Sequence, residues 1–216
     1  MSTKKWLSRW VAVASLMVLQ LAAFAAPVGK AAADFDDAKP DRGETAWGKL
    51  VSDALRLESH ADIALVNAGA LKRGTLKAGP IEPAAIDELL TFGDDDVVLI
   101  DLSGAQLRKG LERAVQAYPE ASVAFLHCSG LTAQFNPQAP GDRITLMRFN
   151  GHEIDNKDVF KVAMPVSLAE GSAGYFTLWN ANGAQHTGSS MRKTVIDYIR
   201  SQHTIAPSED ARLAPQ

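Results

Sequence analysis

The stretch Ala61–Gly74, ADIALVNAGALKRG, joins an apolar run to a loop of small residues and then to two adjacent cations. The run Ile63–Asn67 is short, apolar up to Val66, and followed by a glycine-containing segment, so it predicts a buried β-strand that ends in Asn67. In the loop 68–70, small side chains let a ligand approach the backbone, and the amide groups of such a loop can point at an anion. Lys72 and Arg73 add positive charge beside the loop. The stretch therefore predicts either an anion site or an ordinary turn beside two solvated cations.

The segments on both sides of this stretch carry helical and strand patterns. Apolar residues recur at helical spacing from Trp47 to Leu55, after Glu44 and Thr45, which suit the start of a helix. Further helices are predicted at Pro83–Leu90, after Ser103, and at about Met191–Gln202 behind a cap at Ser189 or Ser190. Further strands are predicted at 97–102, 123–129, 131–135, 144–149 and 160–165, with an Asn150-Gly151 hairpin turn between the last two. Helices and strands interleave early and strands cluster late, so the sequence predicts an α+β fold with a mixed β-sheet and packed helices.

The N-terminal residues carry the pattern of an export signal. Lys4, Lys5 and Arg9 precede the apolar run WVAVASLMVLQLAAFAA, which is typical of a signal peptide. Cleavage after Ala25 satisfies the small-x-small rule, and Ala33 is a second choice. An uncleaved membrane anchor is the alternative, because the run approaches the length of a short span. We therefore expect a signal peptide at 1–25 and an exported protein, periplasmic or secreted.

The rest of the chain divides by composition into three segments. Residues 26–43 are rich in Ala, Asp, Lys, Pro and Gly without periodicity and predict a linker. Residues 44–203 contain the periodic patterns and predict one folded domain, and residues 204–216 predict a disordered tail. The formal net charge is −3 for the whole chain and would be −6 without the three N-terminal cations. This charge argues against nucleic acid or an anionic membrane surface as a partner.

Patterns for metal or nucleophilic catalysis are weak. The five histidines do not stand at metal-ligand spacing, and the acidic run Asp94–Asp96 is better explained as a solvated turn than as a cation site. Ser190–Lys193 spells S-x-x-K without companion motifs and suits a helix cap. His127 and Cys128 are adjacent on a predicted strand, so their side chains point to opposite faces and cannot act as base and nucleophile. The sequence therefore predicts no catalytic residue and no metal ligand.

Six stretches, in order, resemble the motifs of the C-terminal domain of the 5'-nucleotidase family. That family has a capped helix, an Asn-Gly-Gly-x-Ile-Arg loop, a Pro-Phe-Gly-Asn segment, a Thr-Gly-x-x-Leu helix start, a Phe-x-x-x-Ser-Gly strand and a Gly-Gly-Asp-Gly-aromatic loop. The corresponding stretches of this chain are ETAWGKLVSDAL, NAGALK, TFGD, SGAQL, FLHCSGL and LAEGSAGYF. The resemblance runs from about Glu44 to Tyr198 and implies the fold of that domain.

The resemblance also implies a substrate site. In the family, the Asn and Arg of the loop contact the substrate, the Arg grips phosphate, and two aromatic rings sandwich the nucleobase. By position, the substrate-binding residues are Asn67 and Gly69 in the loop, Lys72 in place of the Arg, and Phe125 and Tyr175 as the two rings. Base stacking of this kind contributes about 1–3 kcal/mol per base.

Three departures from the family motifs weaken the phosphate part of this site. Lys72 lacks the planar fork of an Arg, and the loop Gly171–Gly174 has lost the family's carboxylate. Thr91 and Asp94 flank the Phe-Gly pair where the family has Pro and Asn, and a carboxylate at position 94 would repel phosphate. Base binding is less affected.

Full-length members of the family carry an N-terminal metallophosphoesterase domain that holds two metal ions, which activate the attacking water. Together with the signal-peptide pattern, the resemblance implies an exported nucleoside- or nucleotide-binding domain that is not catalytic alone and has no cofactor of its own. The two divalent metals are expected only in a partner catalytic domain. One alternative is the specificity subunit of a 5'-nucleotidase assembled in trans with a separately encoded metallophosphoesterase. The other is a structural or protein-binding module that has lost the ligand.

Overall fold

The computed structural model describes residues 26–216, so the predicted signal peptide lies outside the described residues. The helices are α1 (Ala46–Glu58), α2 (Pro83–Leu89), α3 (Gly104–Val115), α4 (Val166–Ala169) and α5 (Met191–Gln202). The strands are β1 (Gly29–Ala31), β2 (Phe35–Asp37), β3 (Ile63–Asn67), β4 (Gly74–Leu76), β5 (Gly79–Ile81), β6 (Asp96–Ser103), β7 (Leu126–Ser129), β8 (Leu131–Phe135), β9 (Ile144–Phe149), β10 (His152–Glu153), β11 (Val159–Pro165), β12 (Gln185–Ser190), β13 (Thr204–Ile205) and β14 (Leu213–Pro215). No helix in this part of the chain has both the length and the apolar character to cross a membrane.

A five-stranded sheet with the order β12-β6-β11-β3-β7 forms the centre of the fold. β11 runs parallel to β3 and antiparallel to β6, so the sheet is mixed and the α+β prediction is confirmed. Alternating residues of β3 pack into two different hydrophobic cores. Ile63 and Leu65 pack with α3, whereas Ala64 and Val66 pack with α1 and α5. Residues 63–66 of β3 are all apolar, as expected for a strand whose two faces are both covered.

Side-chain caps fix the starts of three helices. Thr45 Oγ1 accepts a hydrogen bond from the Gly48 amide at 3.1 Å, and Ser103 forms a reciprocal capping box with Gln106 at the start of α3. Ser190 Oγ accepts from the Lys193 amide at 3.3 Å. The S-x-x-K serine is therefore a cap, as its position before a helical pattern indicates.

The packing of α1 against the central sheet depends on Gly48. A Cβ at this position would lie 2.1 Å from His127 Nδ1. The His127 ring is fully buried, and its Nε2 lies 3.0 Å from the Pro40 carbonyl oxygen, so the ring has no room to retreat.

We expect Gly48→Ala to lower the free energy of unfolding by about 1–3 kcal/mol, despite the higher helix propensity of alanine. Urea denaturation followed by circular dichroism measures this change. Gly43→Ala is the control, because a Cβ at that position would meet nothing within 4 Å. Equal losses of stability in the two variants would contradict the contact between α1 and His127.

The linker prediction for residues 26–43 is wrong. β1 lies between β5 and β13 in a three-stranded sheet, and β2 pairs antiparallel with β4. Val28, Ala31 and Phe35 are buried in the same core as α1. Small and acidic residues separate these three in the sequence. The segment therefore shows no hydrophobic periodicity, although its apolar side chains are packed in the core.

The tail prediction for residues 204–216 is also wrong. β14 pairs in parallel with β8, and Leu213 is buried. The Arg212 guanidinium forms two hydrogen bonds with the Asp53 carboxylate, at 2.8 and 2.9 Å. Two short edge strands, β13 and β14, and one ion pair hold this segment, and none of these features has a periodic pattern in the sequence.

The hairpin prediction is partly wrong. Asn150 and Gly151 have φ angles of 50° and 80°, as a two-residue hairpin turn requires. This turn leads into the two-residue strand β10, however, and the longer strand β11 joins the central sheet. The predicted strand 123–129 is also shorter in the structure, where β7 begins at Leu126.

Candidate functional site

Loops from four of the six family stretches, NAGALK, TFGD, FLHCSGL and LAEGSAGYF, meet at one edge of the central sheet. β3 ends at Asn67, which pairs with Leu126 at the start of β7. β11 ends at Pro165, which pairs with Val97 near the start of β6. Because β3 and β11 are parallel, these strand ends lie on the same side of the sheet. We call this side the motif edge, and it comprises the loops 68–73, 91–95, 122–125 and 166–176.

The amide groups of the small-residue loop are already hydrogen-bonded within the protein. The Ala68 amide donates to the Phe125 carbonyl at 2.8 Å, and the Gly69 amide donates to the Val123 carbonyl at 3.1 Å. The Leu71 amide donates to the Ala68 carbonyl at 3.1 Å. The expectation that these amides point at an anion is therefore wrong, because they tie the loop to the segment before β7.

Asn67 and Gly69 both lie against the segment before β7, at Val123. Asn67 is buried, and its Nδ2 donates to the Val123 carbonyl at 3.3 Å. Its Oδ1 has no hydrogen-bond partner among the described residues. A Cβ on Gly69 would lie 3.0 Å from Asn67 Nδ2 and 3.3 Å from Val123 Cβ. Glycine at position 69 therefore allows the close approach of Asn67 and Val123.

The two cations of the loop differ in their surroundings. Arg73 forms an ion pair with Asp41, with 2.6 Å between Nη2 and Oδ2. Lys72 is exposed, and its Nζ lies 3.4 Å from the Asp87 carbonyl oxygen on α2. In the part of the chain that the structure describes, Lys72 has no carboxylate partner, so it is the cation of the loop that can meet an anion.

Phe125 and Tyr175, the two predicted stacking rings, are buried in the core. Phe125 is 2% exposed and lies edge-on to His127, with ring centroids 5.5 Å apart. Tyr175 is 0% exposed and stacks on Trp179, with centroids 4.7 Å apart. Its hydroxyl donates to the Ala124 carbonyl at 2.6 Å, and burial raises its pKa, so the hydroxyl stays protonated. The expected open gap between the two rings is absent from this part of the structure, because each ring is covered by protein.

A different ring is accessible at the motif edge. Phe92 is 56% exposed and borders a shallow pocket of about 450 Å³ that is lined by 91–95 and Ser167. The Thr91 amide donates to the Ala70 carbonyl at 2.9 Å, which joins the pocket to the small-residue loop. Sequence reasoning did not assign this ring, although it lies in the quoted TFGD motif.

Two carboxylates shape the same pocket. Asp95 Oδ2 accepts from the Ser167 hydroxyl at 2.6 Å and from the Ser167 amide at 3.3 Å. Asp94 is exposed beside it. Carboxylates accept hydrogen bonds from sugar hydroxyls and repel phosphate, so the lining suits a nucleoside better than a nucleotide.

Two further features concern metal ligands and the buried His127-Cys128 pair of β7. Among residues 26–216, no group of three or more His, Cys, Asp or Glu side chains is arranged to hold a metal ion. Burial lowers the pKa of His127 to about 4 and raises the pKa of the Cys128 thiol. Both shifts disfavour a thiolate-imidazolium pair.

Comparisons with known proteins agree with the fold. The family model for the C-terminal domain of 5'-nucleotidase matches residues 25–179. A 5'-nucleotidase from Diplobatis ommata is 25% identical over 192 residues, which are 79% of this chain and 33% of that protein. A snake venom 5'-nucleotidase from Naja atra is 22% identical over 173 residues, which are 72% of this chain and 31% of that protein.

A solved structure also has a similar fold. The 5'-nucleotidase precursor from Thermus thermophilus matches with a TM-score of 0.79 and 25% identity, over 88% of this chain and 39% of that chain. The matched region is about a third of the length of the Diplobatis ommata and Naja atra proteins.

Proposed function

The chain belongs to the 5'-nucleotidase C-terminal domain family, and from this membership we propose that it is an exported domain that binds a nucleoside or nucleotide. The observation that carries the proposal is the convergence of the motif loops at one sheet edge, where Phe92 is exposed above a pocket. The pattern of residues 1–25 and the snake venom relative support export. We assign recognition rather than catalysis to this chain because the matching family model is that of the C-terminal domain.

In this proposal the base stacks on the exposed ring of Phe92, and a ribose hydroxyl donates to Asp94. Lys72 stands at the rim of the small-residue loop, while Asn67 and Gly69 fix the loop from beneath. Phe125 and Tyr175 have a packing role in the core in this proposal. Both rings are buried, so neither ring face can contact a base.

Calorimetric titration of the purified chain with adenosine, without added metal, tests this assignment. We expect adenosine to bind and Phe92→Ala to weaken binding by about tenfold or more, since a stacked base contributes about 1–3 kcal/mol. Val159→Ala is the control, because that apolar side chain is also exposed but lies at the start of β11, at the opposite end of the strands. Equal affinities in the wild type and Phe92→Ala would remove Phe92 from the site.

AMP titrated in parallel distinguishes nucleoside from nucleotide recognition. We expect AMP to bind no more tightly than adenosine, because Asp94 and Asp95 line the pocket. Tighter binding of AMP, with the gain lost in Lys72→Gln, would instead assign the phosphate to Lys72. If neither compound binds, the structural module is the better explanation.

A second candidate is the specificity subunit of an enzyme assembled in trans. Phe92 and Val123 are both more than half exposed at the motif edge, at 56% and 60%, and can form an apolar contact with a metallophosphoesterase. The test is affinity capture with the wild type and Phe92→Asp. This candidate requires that the wild-type chain capture a protein that hydrolyses AMP in the presence of a divalent metal. The Phe92→Asp variant should fail to capture that activity.

A further inference from the structure

A second pocket lies at the opposite edge of the central sheet. Ser129 pairs with Ala64 at the far end of β3 and β7, away from the motif edge. Around it, a pocket of about 450 Å³ is lined by the end of α1, the β7-β8 turn, the β9-β10 turn and the segment before β14. Three arginines from three of these segments line it, namely Arg56, Arg148 and Arg212. We call it the arginine pocket.

One of the three guanidinium groups is neutralised within the protein. Arg212 forms its two hydrogen bonds with Asp53 and also donates to the Cys128 carbonyl at 3.0 Å. Ser129 Oγ donates to the same carboxylate, with 2.6 Å to Asp53 Oδ1. Asp53 therefore compensates the charge of Arg212 and holds Ser129 in place.

Arg56 is fixed by the hydroxyl that Asp53 holds. Its Nε donates to Ser129 Oγ at 2.8 Å, and its terminal nitrogens have no protein partner in the described chain. Gly130 permits this placement, because a Cβ there would lie 2.8 Å from Arg56 Cδ and the residue has a φ of 80°. Glycine at position 130 thus lets the Arg56 side chain lie against the backbone of the turn, and Arg56 lines the pocket.

Arg148 is the third cation and has no ion pair or hydrogen bond from its side chain within residues 26–216. It is exposed on β9, opposite Thr132 of β8 and Glu153 of β10. The lining contains one further carboxylate, that of Asp210, which accepts from Ser208 at 3.2 Å. The lining therefore remains net positive, with Arg56 and Arg148 available to a ligand.

We propose that the arginine pocket binds a small dianion that carries phosphate or two carboxylates. The planar guanidinium fork matches the oxygen pairs of both groups. Arg56 has one edge of its fork held by Ser129, so little conformational entropy is lost when the other edge binds. This site is independent of the nucleoside site, because it lies at the other end of the strands.

Calorimetric titration of the purified chain with inorganic phosphate and with succinate, at constant ionic strength, tests the proposal. We expect at least one of the two to bind, and the preferred one identifies the ligand class. Arg148→Gln is expected to raise its Kd by about tenfold or more, as the loss of a charged hydrogen bond predicts. Arg200→Gln, an exposed arginine on α5, is the control and is expected to leave Kd unchanged.

Arg148 is exposed, so its variant should fold, and thermal unfolding of each variant checks this. Arg56→Gln is expected to act in the same direction as Arg148→Gln. Absence of binding by both anions, or equal Kd values in the wild type and Arg148→Gln, would overturn the proposal. Repeating the adenosine titration with Arg148→Gln separates the two sites, because adenosine binding at the motif edge should be unaffected by this change.

Discussion

Replacing Tyr175 by alanine is expected to lower the free energy of unfolding by about 3–5 kcal/mol, because the whole ring is removed from the core. The ring is fully buried, stacks on Trp179, and donates its hydroxyl to the Ala124 carbonyl. A ring that served as an open stacking surface would be largely exposed, and its removal would change stability by only a few tenths of a kcal/mol. Urea denaturation of the wild type and the variant measures the difference.

The neighbouring residue supplies a matched control. Phe176 is an aromatic ring next in the chain, but it is 72% exposed. Phe176→Ala should change the free energy of unfolding by no more than about 0.5 kcal/mol. Similar values for the two variants would contradict the assignment of Tyr175 to the core and would favour the open gap that the family motifs imply.

Asp37 is expected to make stability depend on pH. Its carboxyl group is fully buried beside Thr45, and burial raises its pKa from 3.8 to about 7. Because the folded protein holds the proton more tightly than the unfolded chain, the stabilisation is fully present below about pH 4. It is lost as the pH rises through about 7. One pKa unit corresponds to about 1.4 kcal/mol, so the loss is on the order of 4 kcal/mol.

His127 changes stability in the opposite direction over part of this range. Its pKa is lowered from 6.5 to about 4 by burial, so the stabilisation that it contributes is present above pH 6.5 and is lost as the pH falls through about 4. The two groups partly cancel in the wild type. The contribution of Asp37 is therefore measured as the difference between the wild type and Asp37→Asn.

We expect the wild type to lose stability relative to Asp37→Asn as the pH rises from about 4 to about 8, in urea titrations at each pH. Asp101→Asn is the control, because Asp101 is an exposed aspartate on β6 and is not among the charges that act on Asp37. A pH-independent difference between the wild type and Asp37→Asn would contradict the burial of a carboxyl group under Thr45.

The elements with a strong local pattern were predictable from the sequence. β3 has four consecutive apolar residues before Asn67, and Ser103 and Ser190 stand directly before helical patterns, so these elements lie where the sequence predicts them. The family motifs also identified the loops that meet at the motif edge. These features depend on neighbouring residues, which a single sequence displays.

The features that depend on distant contacts were not predictable. Phe35 and Leu213 are held by strands that are remote in sequence, so their segments resemble a linker and a tail. The burial of Tyr175 depends on Trp179 and on the carbonyl of Ala124. A motif match does not show which residues pack over a ring. Accessibility of a ring is a tertiary property, which is why Phe92 rather than Phe125 or Tyr175 is available to a ligand.

The proposed function requires a nucleoside to bind at the motif edge. The most direct test is a titration of the ¹⁵N-labelled chain with adenosine, followed by amide chemical shifts. We predict that the shift changes concentrate in loops 68–73, 91–95, 122–125 and 166–176, with the largest around Phe92. Shifts that stay unchanged throughout, or that change only around Gly130 and Asn150 at the opposite edge, would contradict the claim.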